Sequence, residues 1–174
     1  DYVKSNVTRP LKDSVKENIF NIIAHSNLIN INLNNSHVLD LYSGIGSFGL
    51  ECLSRGCEQV VFVEKDKNSA KILLKNLQTL FINNKALVMA EDVLFYLSRK
   101  KNTRFDIFFL DPPFANNSFL EDLKLIREKK IFNKNHLIII HRERKSHDEF
   151  SKIINPIIIR NYSRSKIIFA KFLD

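Results

Sequence analysis

The chain has 174 residues, of which 44% are hydrophobic and 26% are charged, so it is long enough for one domain, spanning 1–174, with a sizeable core. No apolar run approaches the roughly 18 residues of a membrane span, and no signal peptide is evident, which argues against membrane and secreted classes. Lysine and arginine exceed aspartate and glutamate by 8, which suggests a polyanionic partner, although a bias in genomic base composition would also enrich lysine.

The two cysteines give no sign of a metal site or a disulfide. Cys52 and Cys57 lie five residues apart on different faces of a predicted helix, without a cluster of histidines or cysteines nearby. We therefore expect a cytoplasmic protein that binds no metal, and a monomer is the expected state. Because the first residue is aspartate rather than methionine, we also expect the natural N-terminus to lie upstream.

In chain order, strand-like apolar runs alternate with amphipathic stretches, which predicts a parallel sheet with helices on both faces. The helices are predicted at 12–25, 48–55, 68–81, 93–100 and 118–128. The strands are predicted at 37–41, 59–63, 86–90, 105–110, 136–140, 156–160 and 166–172. Only a short turn separates the last two strands, so they are predicted to form an antiparallel hairpin.

The first strand leads into a glycine-containing loop that opens a helix. Gly44, Gly46 and Gly49 fit the pattern G-x-G-x-x-G, and Glu64 follows at the end of the second strand, as in a dinucleotide-binding fingerprint. Asp40, however, would repel a pyrophosphate at the helix N-terminus and suits a ligand carrying an ammonium group. S-adenosylmethionine has an ammonium group, a sulfonium cation and no phosphate, so it is favoured over NAD.

Acidic residues also end the third and fourth strands. Asp92 is predicted to accept a hydrogen bond from an adenine amino group while the backbone N–H of Val93 bonds a ring nitrogen; the alternative is that Asp92 only caps the next helix. Four acids then stand at the C-terminal ends of strands one to four: Asp40, Glu64, Asp92 and Asp111. Open α/β sheets bind ligands at that edge, and the negative charge would suit a cationic cofactor.

The segment Asp111-Pro112-Pro113-Phe114, here called the ledge, follows the fourth strand. Neither proline donates a backbone hydrogen bond and both have a fixed φ, so the ledge is rigid and presents carbonyl oxygens, a carboxylate and a flat ring. Asp111 and the Pro112 carbonyl are predicted to accept from the two N–H groups of a base amine, while Phe114 stacks on the base. Orienting a poorly nucleophilic amine in this way favours methyl transfer. The alternative is a strand stop followed by a turn.

Four segments together match one family. They are Arg9-Pro10 with Asp13, Val15-Lys16-Glu17 and Phe20-Asn21; the run 38–56, VLDLYSGIGSFGLECLSRG; Val63-Glu64 with Asn76-Leu77; and Phe109-Leu110 with the ledge. In these segments the chain resembles the RsmD-type 16S rRNA guanine-N2 methyltransferases, which are class I S-adenosylmethionine-dependent enzymes. It departs from the family pattern at Leu11, where threonine is usual, and at Lys16, where arginine is common.

The resemblance implies a Rossmann-like class I methyltransferase fold, with a seven-stranded, mostly parallel sheet whose strand seven is antiparallel. It implies that the ledge handles the target base and that 16S rRNA or the small ribosomal subunit is the partner, contacted by Arg9, Lys12 and Lys16. The complete set of predicted cofactor-binding residues is Asp40, Tyr42, Ser43, Gly44, Gly46, Glu64, Asp92 and Val93.

Some residues and functions have two interpretations at this stage. Arg142 and Arg144 either meet RNA phosphates or lie in a solvated loop, and His141 either borders the pocket or has a surface or capping role. The favoured activity is methylation of guanine N2 in small-subunit rRNA. The alternatives are an amino-methyltransferase acting on adenine N6 or a glutamine amide, a non-catalytic RNA-binding relative, and an NAD oxidoreductase, which Asp40 disfavours.

Overall fold

The computed structural model describes residues 11–100, 102–115, 117–150 and 152–173. Its α-helices are α1 (Asp13–His25), α2 (Ser47–Ser54), α3 (Lys67–Thr79), α4 (Val93–Arg99) and α5 (Phe119–Lys129), and a 3-10 turn covers Asn83–Lys85. Its strands are β1 (His37–Leu41), β2 (Gln59–Val63), β3 (Ala86–Met89), β4 (Phe105–Leu110), β5 (Phe132–Glu143), β6 (Ile154–Asn161) and β7 (Ser165–Phe172). None of the described helices is long and apolar enough to cross a membrane.

The strands form one sheet in the order β3-β2-β1-β4-β5-β7-β6. Strands β1 to β5 pair in parallel, and β7 is antiparallel to both β5 and β6. The predicted fold class is therefore confirmed, including the antiparallel hairpin. The chain moves outward in one direction from β1 to β3 and in the other from β4, so the crevice between β1 and β4 is the switch point at which such sheets bind ligands.

Helices cover both faces of the sheet. Because successive side chains of a strand point to opposite faces, Ile139 of β5 packs in the cluster with α1, α2 and α3. Its neighbour Ile140 packs in the cluster with α4 and α5. Apolar clusters therefore lie on both faces of the sheet. The side chains that follow Ile140 along β5 continue to alternate between these two faces.

The main difference from the predicted elements is at β5, which was expected only over the apolar run 136–140. The strand extends to Glu143 because β7 pairs with its polar end, with Arg142 opposite Lys166. Cys57 lies beyond the end of α2 rather than on it, and both cysteines are buried, free thiols.

Candidate active site

The loop after β1 has an unusual backbone that leaves its outer side open. Tyr42, Gly44 and Gly46 have φ angles of 60°, 55° and 87°, in the left-handed region that favours glycine. A Cβ added to Gly46 would lie 2.4 Å from Cδ1 of Leu73, whereas one added to Gly44 would meet nothing within 4 Å. Gly46 is therefore needed for packing against α3, while Gly44 borders open space that a ligand can approach.

Asp40 lies beneath this loop rather than on its surface. Its side chain is 1% exposed, and its Oδ2 accepts a hydrogen bond from the backbone N–H of Gly49 at 2.9 Å. Burial, followed by the nearby charges of Asp111 and Glu64, raises the pKa of Asp40 well above its ordinary value. Because Asp40 already accepts from a backbone N–H at the N-terminus of α2, that donor is not available to a phosphate, which agrees with the sequence argument against NAD.

Glu64 follows β2 and braces the loop. Its two carboxylate oxygens accept hydrogen bonds at 2.7 Å from the backbone N–H groups of Gly44 and Asp66. Each oxygen has a second lone pair, so Glu64 can still accept from ribose hydroxyls. That contact stays a prediction.

Asp92 caps helix α4. Its Oδ1 accepts from the backbone N–H of Leu94 at 2.9 Å, so the capping role considered from the sequence is present. Asp92 is exposed and therefore remains reachable by a ligand. The side chain of Val93 is buried, which leaves its backbone as the part that can contact a cofactor.

Two buried oxygens at the loop lack a hydrogen-bond partner among the described residues. They are Oδ1 of Asp40 and Oγ of Ser43. Buried polar atoms normally have partners, so these two suit a ligand that brings its own donors. Together with the acids around the open side of Gly44, they fit the ammonium group at the amino acid end of S-adenosylmethionine, which is rich in donors.

Tyr42 ties the loop to helix α5. Its hydroxyl donates a hydrogen bond to the carboxylate of Asp122, whose residue is only 2% exposed. Burial raises the pKa of Asp122 to about 6. The pKa of Tyr42 is also raised, first by burial and then by its hydrogen bond to the Asp122 carboxylate. The sequence did not single out Asp122, because an acid in the first turn of a helix is ordinary.

The ledge stands directly beside the loop. The backbone N–H of Asp111 donates to the carbonyl of Leu41 at 3.4 Å, and Oδ1 of Asp111 lies 2.9 Å from Nδ1 of His141 on β5. The Phe114 ring meets the His141 ring edge-on, with centroids 5.5 Å apart. His141 therefore touches two ledge residues, so of the two roles considered for it from the sequence, the position beside the pocket is the one that the structure has.

The prediction of a phosphate contact is wrong for Arg142. Its side chain is 1% exposed and pairs with the buried carboxylate of Asp148 at 2.9 Å. The guanidinium also donates to the carbonyl oxygens of Phe114 at 3.2 Å and Pro113 at 3.4 Å, and lies 4.5 Å from the centre of the Phe119 ring. It is an internal support of the ledge.

The other predicted RNA contacts have varied surroundings. Arg9 lies outside the described residues. Lys12 is exposed at the start of α1, and Lys16 pairs with Asp13 at 3.3 Å. Arg144 is exposed and lines an open cleft of about 530 Å³ next to the ledge.

Sequence comparisons place the chain in a family. Over residues 1–171 it matches the model of the family described as Conserved hypothetical protein 95. It is 37% identical to "Ribosomal RNA small subunit methyltransferase D" of Haemophilus influenzae, with 82% of this chain and 72% of that protein covered. The chain belongs to the RsmD-type methyltransferase family. The protein of the same name from Buchnera aphidicola subsp. Baizongia pistaciae is 29% identical, with 95% of this chain and 81% of that one covered.

Solved structures of methyltransferases share the fold of this chain. The Escherichia coli protein yhhF superposes with a TM-score of 0.82 at 25% identity, covering 97% of this chain and 89% of that one. The Haemophilus influenzae protein HI0767 superposes with a TM-score of 0.78 at 31% identity, covering 93% of this chain and 98% of that one. An RNA methyltransferase from Salinibacter ruber, solved with S-adenosyl-L-homocysteine, shares the fold with a TM-score of 0.66 at 14% identity. The family recognised from the sequence motifs is confirmed.

Proposed function

We propose that this chain transfers a methyl group from S-adenosylmethionine to the exocyclic N2 amine of a guanine in small-subunit (16S) rRNA. The observation that carries the proposal is the position of Asp111, which directly follows β4 and lies beside the open loop after β1 at the switch point of the sheet. An acceptor for amine protons thus stands next to the candidate cofactor loop. The printed names of the family relatives support the choice of rRNA.

The residues around the loop would hold the cofactor at its charged end. Asp40 and Ser43 offer buried oxygens that have no partner within the described part of the chain, and Gly44 and Gly46 keep the backbone of the loop in its open shape. Glu64 would accept from the ribose hydroxyls, while Asp92 and the backbone of Val93 would contact adenine. When bound, S-adenosylmethionine supplies a methyl group activated by its sulfonium charge.

The ledge would prepare the amine. Asp111 and the Pro112 carbonyl would accept from the two N–H groups of guanine N2, and Phe114 would stack on the base. This arrangement would free the nitrogen lone pair to form the new N–C bond, and the electron pair of the broken C–S bond would stay with sulfur. The positive charge that develops on nitrogen is stabilised by the same acceptors, and the spare proton leaves to Asp111 or water.

The cleft beside Phe114 would receive the RNA backbone next to the stacked base. Its lining includes three exposed cations, Arg144, Lys145 and Arg164, but a single acid, Glu143. Arginine forks match phosphate geometry, and each phosphate contact makes RNA affinity depend on salt. We further propose that Arg9, Lys12 and Lys16 contact the RNA from the start of α1.

The decisive experiment separates substrates and cofactors. Methyl transfer from labelled S-adenosylmethionine is measured on undermethylated small subunits, on free rRNA and on DNA, and the modified nucleoside is identified by mass spectrometry. Label in N2-methylguanosine from either rRNA substrate is expected; transfer only to DNA, or only to adenine, would refute the proposal. Calorimetry with S-adenosylhomocysteine and NAD tests the cofactor, and binding of NAD alone would exclude a methyltransferase.

We also propose a cytoplasmic monomer whose activity needs no metal ion. Size-exclusion chromatography with light scattering measures the mass, and 20.3 kDa is expected for this chain. Activity is expected to persist after treatment with EDTA, and a loss that zinc or magnesium restores would contradict the metal-free assignment.

A further inference from the structure

We propose that the end of β5 clamps the ledge from both faces of the sheet, with His141 and Arg142 as positioning residues for methyl transfer. This inference rests on the proposed function and adds to it the side chains that fix the acceptor groups. Neither residue is assigned a covalent or proton-transfer step. Asp148 completes the arrangement by holding Arg142 in place.

The clamp follows from strand geometry. Strand β5 pairs in parallel with β4, with Ile140 opposite Leu110, so the two residues after Ile140 lie beside the ledge that begins after Leu110. Side chains alternate between faces, which places His141 on the side of Ile139 and Arg142 on the side of Ile140. Two consecutive residues therefore reach the same segment from opposite faces.

His141 fixes the carboxylate of Asp111. With the Asp111 carboxylate ionised, it can only accept, so Nδ1 of His141 is the donor across the 2.9 Å contact to Oδ1. This bond leaves Oδ2 for the amine of the target base. The side chains of His141 and Asp111 are 10% and 23% exposed, so water competes weakly for the bond. The edge-on contact with the Phe114 ring fixes the stacking surface at the same time.

Arg142 fixes the backbone of the ledge. Its guanidinium donates to the carbonyls of Pro113 and Phe114 and to Oδ1 of Asn117 at 3.2 Å. These bonds hold in place a segment whose two prolines have no backbone N–H with which to hydrogen-bond the neighbouring chain. The planar guanidinium presents five N–H donors in a fixed fork, whereas a lysine ammonium has three on a compact point charge and cannot reach all of these acceptors from one position.

Asp148 anchors the guanidinium. Its carboxylate accepts from Arg142 at 2.9 Å and from the Ser146 hydroxyl at 2.6 Å, and its side chain is 1% exposed. Burial alone would raise the pKa of Asp148, but the hydrogen bonds from Arg142 and Ser146 outweigh it and hold the pKa below its ordinary value. The pair thus stays charged, and removing one partner would leave a buried, unpaired charge.

The first test compares two arginine-to-lysine substitutions. Arg142→Lys retains the charge facing Asp148 but loses the fork, so kcat should fall by about 10- to 100-fold through misplacement of the ledge, with KM for S-adenosylmethionine unchanged. Arg127→Lys is the matched control, because Arg127 also donates to two backbone carbonyls, those of Leu173 and Lys152, away from the ledge. Equal kcat in the two variants would overturn the role of Arg142, as would a parallel loss of kcat and cofactor affinity.

The second test concerns His141. His141→Leu removes the donor to Asp111 and should lower kcat by about 10-fold or more, whereas His141→Asn retains an amide donor near the position of Nδ1 and should restore part of the loss. If both variants lose the same activity, or neither loses any, His141 does not position Asp111.

A reporter that needs no substrate distinguishes failure of the clamp from failure of the proposed function. The chain has no tryptophan, so Phe114→Trp supplies a single tryptophan on the ledge, whose emission can be excited apart from that of the tyrosines. Adding Arg142→Lys should increase acrylamide quenching and lower the anisotropy of this probe, while adding Arg127→Lys should change neither. An unchanged probe in the Arg142→Lys protein would overturn the clamp, whereas absence of methyl transfer by the wild-type chain on every acceptor would overturn only the proposed function.

Discussion

The buried carboxyl of Asp122 should make the free energy of unfolding depend on pH. Burial raises its pKa from 3.8 to about 6, so the folded state binds this proton more tightly than the unfolded state. Protonation of Asp122 therefore contributes fully to the free energy of unfolding below a pH of about 3.8, and this contribution is lost as the pH rises through about 6. At about 1.4 kcal/mol per pH unit, the gap between the two pKa values amounts to about 3 kcal/mol.

The substitution Asp122→Asn should remove this dependence, because the amide has a similar shape and does not titrate. The difference in unfolding free energy, variant minus wild type, is expected to rise by about 2.4 kcal/mol between a pH of about 4 and about 7, because part of the change has already occurred at a pH of about 4. Urea denaturation at several pH values measures it, and the subtraction cancels the other titrating groups. A difference that stays constant over this range would refute the reasoning.

The hydrogen bond from Tyr42 provides an internal control. This bond lowers the pKa of Asp122, although burial has the larger, opposite effect. Tyr42→Phe should therefore raise that pKa further and shift the pH-dependent loss of stability to higher pH. An unchanged transition, or one shifted to lower pH, would mean that the hydroxyl does not stabilise the carboxylate.

Three further predictions concern the site and the core. Asp111→Asn should lower kcat by about 100- to 1,000-fold while leaving S-adenosylhomocysteine affinity measured by calorimetry largely unchanged; equal losses would make Asp111 chiefly a cofactor residue. Gly49→Ala should lower the free energy of unfolding, measured in urea, by about 1–3 kcal/mol. The new Cβ would lie 2.3 Å from Cε1 of buried Phe62. A variant as stable as the wild type would show that the Phe62 ring moves aside at little cost. Burial raises the pKa of the Cys52 thiol, so an aromatic disulfide reagent should label it no faster than the chain unfolds, and rapid labelling of the native protein would contradict its buried position.

Much of the fold could be predicted from the sequence because the deciding signals are local. The apolar runs at β1, β2 and β4 are bounded by polar or turn residues, so their predicted limits agree with the structure. The polar end of β5 carries no such signal. It is extended because β7 pairs with it, and a pairing partner distant in sequence cannot be recognised from local periodicity.

The candidate site was predictable to the extent that it depends on backbone position. The acids at strand ends follow from parallel topology alone, since the C-terminal ends of parallel strands share one edge. Whether Asp40 lies on the loop or beneath it depends on packing around Gly49, and its sequence position does not reveal this.

The amino-acid sequence by itself determined the parallel sheet, the open glycine loop and a rigid ledge of prolines, since each depends on residue type and chain order. Only the tertiary structure decided what Arg142, His141 and Asp122 do. Arg142 and Arg144 differ by two positions in sequence, yet one is buried under the ledge and the other is exposed. Burial and hydrogen-bond partners come from segments far apart in the chain, and they determine whether a charged side chain supports the site or faces a ligand.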